Sequence, residues 1–165
     1  MKVVELFSYK EIEGKWQPYK VRRLSFVPLE YNDTNVQWAS EKILEKLNPS
    51  YLTKRYVEEN KWNPTYGHCY HTTQAMFYMF DTDRLVPMRG EDTRNEYHWW
   101  LQDGKKVIDP TADQYFRRNE KPPYDKGKKG QWYAWRRQPS SRSFRLIVNV
   151  LGNVNDVTES IVNAS

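Results

Sequence analysis

Residues 67–80 read GHCYHTTQAMFYMF and predict the helix around which the fold is organised. From Cys69 to Phe80, core-compatible side chains recur at i, i+3, i+4, i+7, i+8 and i+11, the spacing of one face of an amphipathic helix. The preceding residues 63–67, NPTYG, are typical of a turn. We therefore expect the helix to begin at Gly67 or His68, with Cys69 in its first turn.

A second stretch, residues 97–111, reads YHWWLQDGKKVIDPT and predicts a β-hairpin. Its Asp103-Gly104 pair favours a two-residue type I′ turn, which fixes the register of the two strands. In that register His98 lies directly opposite Asp109 on the same face of the sheet, with Cβ atoms ~5 Å apart. We expect the carboxylate to accept a hydrogen bond from the imidazole.

The flanking sequence adds strands and helices and predicts an α+β fold in a single domain over residues 1–165. The expected elements are an N-terminal hairpin that turns at Glu13-Gly14, a helix over Asn35–Leu47 capped by Asp33 or Thr34, a C-terminal helix capped by Ser140 or Ser141 that ends at Gly152, and a tail from Asp156 that is a short helix or frayed.

The composition excludes several classes of protein. A single cysteine permits neither an internal disulfide nor a cysteine-based structural zinc site. No apolar run reaches the ~20 residues of a membrane span, and the opening MKVVELFSYKEIEG lacks the pattern of a secretory signal. We therefore expect a cytoplasmic protein without membrane contact.

Positive charge is concentrated between Arg117 and Arg145, where ten basic residues meet only two acidic ones in a loop-rich segment. Aromatic residues alternate with these charges, a pattern that suits single-stranded nucleic acid or another polyanion. Solvated lysines around core aromatic residues explain the same pattern, so both interpretations stay open.

The residue types in the two central stretches are those of thiol catalysis. A thiol attacks as its thiolate, and an adjacent imidazolium favours ionisation far more than a helix N-terminus does. An aspartate behind the imidazole fixes its tautomer and stabilises its cationic form. Cys69, His98 and Asp109 therefore fit a Cys-His-Asp triad if the helix packs on the hairpin.

Both stretches resemble the transglutaminase-like branch of the papain-like cysteine enzymes, through the Gly-x-Cys helix start, the His-x-Trp strand and the Asp-Pro-Thr strand end. The resemblance covers about residues 62–112. It implies that Cys69 is the nucleophile, His98 the general acid and base, and Asp109 the orienting carboxylate. It also implies an α+β fold with the cysteine helix packed on an antiparallel sheet. The chain is further similar to small proteins of tailed phages, which implies the host cytoplasm.

An oxyanion also needs hydrogen-bond donors. The free backbone N–H of Cys69 at the helix start is one. The resemblance implies a second, either the side-chain amide of Asn63, six residues earlier, or Trp62 as in transglutaminases. Trp100 shares a strand face with His98 and is expected either to wall the acyl pocket or to fill the core.

Other interpretations compete with each of these assignments. Cys69 alone is typical of buried packing, and Asp109 suits a turn before Pro110. A metal site of histidines and Cys69 is disfavoured, because residues 69 and 71 lie ~200° apart around a helix. We therefore expect no metal, with His68 and His71 at a cap or facing solvent. Glu96 is a spare carboxylate on the predicted face of His98.

The sequence thus predicts a cysteine-dependent acyl-transfer enzyme that needs no cofactor and hydrolyses a peptide, isopeptide or side-chain amide bond. Transfer to an amine, as in transglutaminases, is the alternative chemistry. A non-catalytic module that binds nucleic acid or an acidic protein through residues 117–145 is the alternative class.

Overall fold

Helices and mainly antiparallel strands alternate along the chain in the computed structural model, which describes residues 1–161. The elements are β1 (Lys2–Ile12), β2 (Lys15–Phe26), β3 (Leu29–Glu30), α1 (Asp33–Lys46), α2 (Val57–Asn60), α3 (Cys69–Met79), β4 (Phe80–Asp81), β5 (Val86–Glu91), β6 (Tyr97–Asp103), β7 (Lys106–Ile108), α4 (Asp113–Phe116), β8 (Lys128–Lys129), α5 (Ser141–Leu151) and β9 (Asn155–Ser160). The predicted α+β class is confirmed. Among these residues no helix has the length and apolar character needed to span a membrane.

The N-terminal hairpin is confirmed and gains a third strand. Glu13 and Gly14 form its turn with φ angles of 53° and 78°, and β9 pairs antiparallel with β2. The prediction that the tail from Asp156 is helical or frayed is therefore wrong. The two acidic residues of β9 pair with arginines of β2: Asp156 lies 2.7 Å from Arg22, and Glu159 lies 2.7 Å from Arg23. The part of the tail at 162–165 lies outside the described residues.

The two long flanking helices begin at polar caps. Asn32, rather than the predicted Asp33 or Thr34, caps α1 through its side-chain oxygen. Ser140 caps α5, which ends at Gly152 in the left-handed region (φ 75°) as predicted. Helix α5 contacts both α1 and α3, and its Phe144 and Ile147 are fully buried.

The hairpin of β6 and β7 differs from its predicted register by two residues. Leu101, rather than Trp99, pairs with Ile108. The turn is formed by Gly104-Lys105, because Asp103 stays in the strand, where its carboxylate accepts a hydrogen bond from Tyr31 (2.7 Å).

The two-residue difference preserves the faces of the strands. A slip of one residue would reverse every side chain, whereas a slip of two returns each to its original face. His98 and Asp109 are therefore not directly opposite each other, as was predicted, but they still lie on one side of the hairpin. The four-stranded sheet has the order β7-β6-β5-β8.

Helix α3 begins at Cys69, with His68 as its N-cap residue. It lies against β5 and β6 on one side and α5 on the other. Ala75, Met76 and Met79 are buried in the main core. The helix predicted from the cysteine stripe is thus present, and its N-terminus meets the beginning of β6.

Candidate active site

A cleft of about 750 Å³ opens at the N-terminus of α3. Cys69 lies in its wall together with residues of the loop before α3, the start of β6, and α4. The cleft is lined with aromatic side chains and carries both signs of charge, with Glu96 and Arg142 among its charged residues.

Cys69 is partly exposed in this cleft. Its Sγ lies 4.0 Å from the carbonyl oxygen of Tyr97, and its backbone N–H meets no hydrogen-bond acceptor among residues 1–161. The loop before α3 packs closely against Tyr56 at Gly67. Only glycine fits there, because its φ is +85° and a Cβ would lie 2.7 Å from the Cβ of Tyr56. A backbone donor and the thiol thus share the helix start.

His98 joins the carboxylate of Asp109 through a buried hydrogen bond. Its Nε2 lies 2.6 Å from Oδ2 of Asp109, and the two side chains are 0% and 3% exposed. Burial alone lowers the pKa of His98. The charge and hydrogen bond of Asp109, aided by Cys69, outweigh burial and raise this pKa to about 10.

The orientation of the imidazole decides which of its two nitrogens is available to Cys69. Since Nε2 of His98 faces Asp109, Nδ1 is the nitrogen left for Cys69. At neutral pH a pKa of about 10 keeps the ring protonated, so Nδ1 carries a proton as well as Nε2.

Asp109 is held by two further donors. The hydroxyl of Tyr124 donates to Oδ2 of Asp109 over 2.7 Å, and the hydroxyl of Thr111 lies 3.4 Å from Oδ1. Tyr124 belongs to the loop after α4, and no local pattern in the sequence pointed to it. It contacts Asp109 only because the loop folds back over β5 and β6.

Aromatic rings fix the plane of the imidazole. Trp100 stacks on His98 with ring centroids 5.7 Å apart, and Tyr115 meets the ring edge-on at 4.8 Å. Trp100 is fully buried behind the imidazole and does not line the cleft, which favours the predicted core role over the alternative that it walls the acyl pocket. Trp99, on the opposite face of β6, lines the cleft instead, because α3 packs on that face.

Gln114 lies in the cleft, although the sequence pattern did not predict it as a site residue. Its Nε2 lies 3.4 Å from Nδ1 of His98 and donates to the carbonyl of Thr111 over 3.0 Å. It is 3% exposed and lines the cleft. The only signal was its position one turn beyond the Asp-Pro-Thr stretch.

Asn63 and Trp62, the predicted side-chain donors to the oxyanion, do not line the cleft. Both amide donor contacts of the fully buried Asn63 are internal, to Glu59 (3.1 Å) and to the carbonyl of Gln114 (2.9 Å). Trp62 is 53% exposed. Asn63 therefore supports the segment that carries Gln114.

His68 and His71 are both buried. The prediction that His71 faces solvent is therefore wrong. His68 is the N-cap residue of α3, although its side chain makes no capping hydrogen bond. Nδ1 of His68 lies 2.8 Å from Nε2 of His71. Burial lowers the pKa of His68 to about 4 and holds the pKa of His71 well below its usual value. Within residues 1–161 no group of three potential metal ligands converges.

The basic segment at 117–145 is partly neutralised and partly core. Arg117 pairs with Asp113 at 2.6 Å and Arg118 with Glu59 at 2.5 Å. Trp132 is buried against the aromatic face of α3. These contacts favour a structural role for much of the segment, and binding of polyanions stays a prediction.

Comparison with protein-family models, curated proteins and solved structures found no match to this chain.

Proposed function

We propose that the protein is a cysteine-dependent amidohydrolase in which Cys69, His98 and Asp109 act as a catalytic triad. One observation carries the proposal: a fully buried imidazole pairs with a carboxylate at 2.6 Å, and the thiol of a cleft residue at a helix start helps to raise the pKa of that imidazole. An imidazole and carboxylate that serve packing alone have no need of a partly exposed thiol at the helix tip.

The chemistry follows from the placement of protons. The thiolate of Cys69 attacks the carbonyl carbon of an amide, and the backbone N–H of Cys69 donates to the oxyanion. Protonated His98 gives the Nδ1 proton to the leaving amine as the C–N bond breaks and a thioester forms. Neutral His98 then takes a proton from water, which attacks the thioester, and C–S cleavage returns the thiolate.

The remaining groups act as support in this proposal. Asp109 holds the ring so that Nδ1 points at the sulfur and stabilises the imidazolium. Tyr124 orients the carboxylate through its 2.7 Å hydrogen bond. Gln114 lines the cleft beside the ring, and its amide Nε2 holds the carbonyl of Thr111 at 3.0 Å, which supports the segment after Asp109.

We assign the architecture to the papain-like group, in its transglutaminase-like branch. Three features support this assignment: a cysteine that begins a helix, a histidine on a strand of the antiparallel sheet against which that helix packs, and an aspartate just after the neighbouring strand. Water is the default acceptor of the acyl group, and an amine in the same place would give transamidation.

The proposal is tested by alkylation, which is unambiguous because Cys69 is the only cysteine. We expect iodoacetamide to modify the native protein rapidly near pH 6 and His98→Gln about 100-fold more slowly, since the imidazolium that favours the thiolate is lost. Circular dichroism checks that the variant is folded. A native thiol that reacts only at alkaline pH, or at the same rate in a folded His98→Gln, would contradict the triad.

Acyl transfer itself is tested with a panel of peptide, isopeptide and side-chain amide probes. We expect a thioester on Cys69, detected by mass spectrometry, and none in Cys69→Ala. Release of free acid identifies hydrolysis, whereas incorporation of an added primary amine identifies transamidation. No thioester with any probe would contradict an acyl-transfer function.

A further inference from the structure

A carboxylate on the cleft wall is held rigidly but is not neutralised by its nearest partner. Glu96 lines the cleft, and both its oxygens lie 3.0–3.1 Å from the hydroxyl of Tyr66. Its backbone N–H donates to Oδ1 of Asp92 over 3.0 Å. The Glu96 side chain keeps 24% of its surface exposed, so a ligand in the cleft can reach it.

A cation of the protein already occupies this position. The guanidinium of Arg55 lies 3.6 Å from Glu96 and 4.6 Å from the ring centroid of Tyr56. A carboxylate and an aromatic face together form a site that favours a cation. Arg55 itself is 65% exposed and its ion pair is long, so it holds the site loosely.

We propose that Glu96 and Tyr56 form a subsite of the cleft that binds a cationic lysine- or arginine-like side chain of the substrate, and that Arg55 occupies it when no substrate is bound. As a substrate subsite it rests on the proposed function, whereas the binding of a cation there does not. A substrate ammonium or guanidinium displaces Arg55 and takes over its contacts.

The position of the subsite suits a substrate that reacts at Cys69. Glu96 precedes by one residue Tyr97, whose carbonyl is the 4.0 Å neighbour of the sulfur. Tyr56 packs close to Gly67, two residues before Cys69, and all three line the same cleft. A peptide that presents a carbonyl to the thiol therefore passes the carboxylate.

Charged thiol reagents test the subsite without requiring catalysis. In a methanethiosulfonate reagent, the Cys69 thiolate displaces methanesulfinate and forms a disulfide with the remaining group. We compare the aminoethyl reagent, a cation, with the sulfonatoethyl reagent, an anion. An exposed charge pair is worth about 1 kcal/mol, or about fivefold in a rate ratio.

We expect Glu96→Gln to lower the cation-to-anion rate ratio about fivefold and Arg55→Ala to raise it by a similar factor. Asp113→Asn and Arg117→Ala break an ion pair outside the cleft and serve as matched controls that leave the ratio unchanged. We also expect n-butylammonium to protect the thiol in Arg55→Ala and not in Glu96→Gln.

The outcomes separate the subsite from the triad. An unchanged ratio in Glu96→Gln, or an equal change in Asp113→Asn, would overturn the subsite. The expected pattern together with no thioester in the probe panel would leave a cation site and refute the hydrolase. If both hold, amide probes with a lysine beside the scissile bond should acylate Cys69 faster than matched glutamate probes.

Discussion

Asp109 illustrates at the scale of single residues how a buried charge sets the state of a neighbour. Desolvation alone would leave His98 neutral, and the carboxylate at 2.6 Å reverses that preference. Protonated His98 is the acid that the proposed mechanism needs, and a pKa of about 10 keeps it protonated across the neutral range.

Replacement of Asp109 tests this electrostatic role. We expect Asp109→Asn to reduce acyl transfer by about a thousandfold, because the imidazolium loses its partner and the tautomer is no longer fixed. The pKa of His98 then falls, since burial alone lowers it. Acyl transfer that depends on the protonated ring should decline near pH 10 in the native protein and at lower pH in the variant.

The pH dependence of thioester formation measures both effects. Asp113→Asn removes an exposed carboxylate four residues away and should leave the profile unchanged. If thioester formation declined at the same alkaline pH in the native protein and in Asp109→Asn, the proposed role of the carboxylate would be contradicted.

At the scale of elements, the start of α3 depends on a close approach between Gly67, in the loop before the helix, and the segment that carries Leu52 and Tyr56. Gly67 has φ +85°, and an added Cβ would lie 2.7–2.8 Å from atoms of Tyr56 and Leu52. We expect Gly67→Ala to destabilise the protein by about 2 to 4 kcal/mol, through backbone strain and steric overlap together.

Gly14→Ala is the matched control for this effect. Gly14 has a similar φ of +78° but no atom within 4 Å of an added Cβ. Its cost should be only that of the left-handed backbone, about 1 kcal/mol. Urea unfolding measures both free energies, and equal losses would show that the approach to Tyr56 does not constrain the helix start.

At the scale of the whole molecule, a pair of neutral histidines lies buried below the site. His68 and His71 share a 2.8 Å contact, and His71 stacks on Tyr51 at 5.4 Å. Burial lowers both pKa values, that of His68 to about 4. The two histidines therefore stay neutral in the folded protein below about pH 6.5, where histidines of the unfolded chain bind protons.

This difference makes the fold sensitive to acid. A depressed pKa means that the unfolded chain binds more protons below pH 6.5, so the free energy of unfolding falls as the pH drops to about 4. The shift of His68 corresponds to about 3 kcal/mol. We expect the free energy of unfolding, measured in urea, to fall less between pH 6.5 and 4.5 in His68→Gln than in the native protein. An equal fall would show that His68 is not the cause of the acid sensitivity.

Local pattern was sufficient for the main helices and the two hairpins and for naming the triad candidates, but it did not predict strand β9. Neighbouring residues alone set the period of the cysteine helix, the polar cap of α5 and the alternation of β6. These local patterns placed Cys69 at a helix start and His98 on the same strand face as Asp109. The hairpin register was missed by two residues, because contacts of Asp103 with Tyr31 and Arg84 outweigh the turn preference of Asp-Gly.

The sequence by itself determined which residues are candidates for the proposed chemistry and on which strand face or helix turn each one lies. Only the tertiary structure decided what surrounds them: Tyr124 on Asp109, Gln114 beside His98 in the cleft wall, Trp100 behind the imidazole, and the buried pair of His68 and His71. The physical reason is that periodicity reports an orientation within one element, whereas these contacts join segments far apart in the chain and depend on how the elements pack.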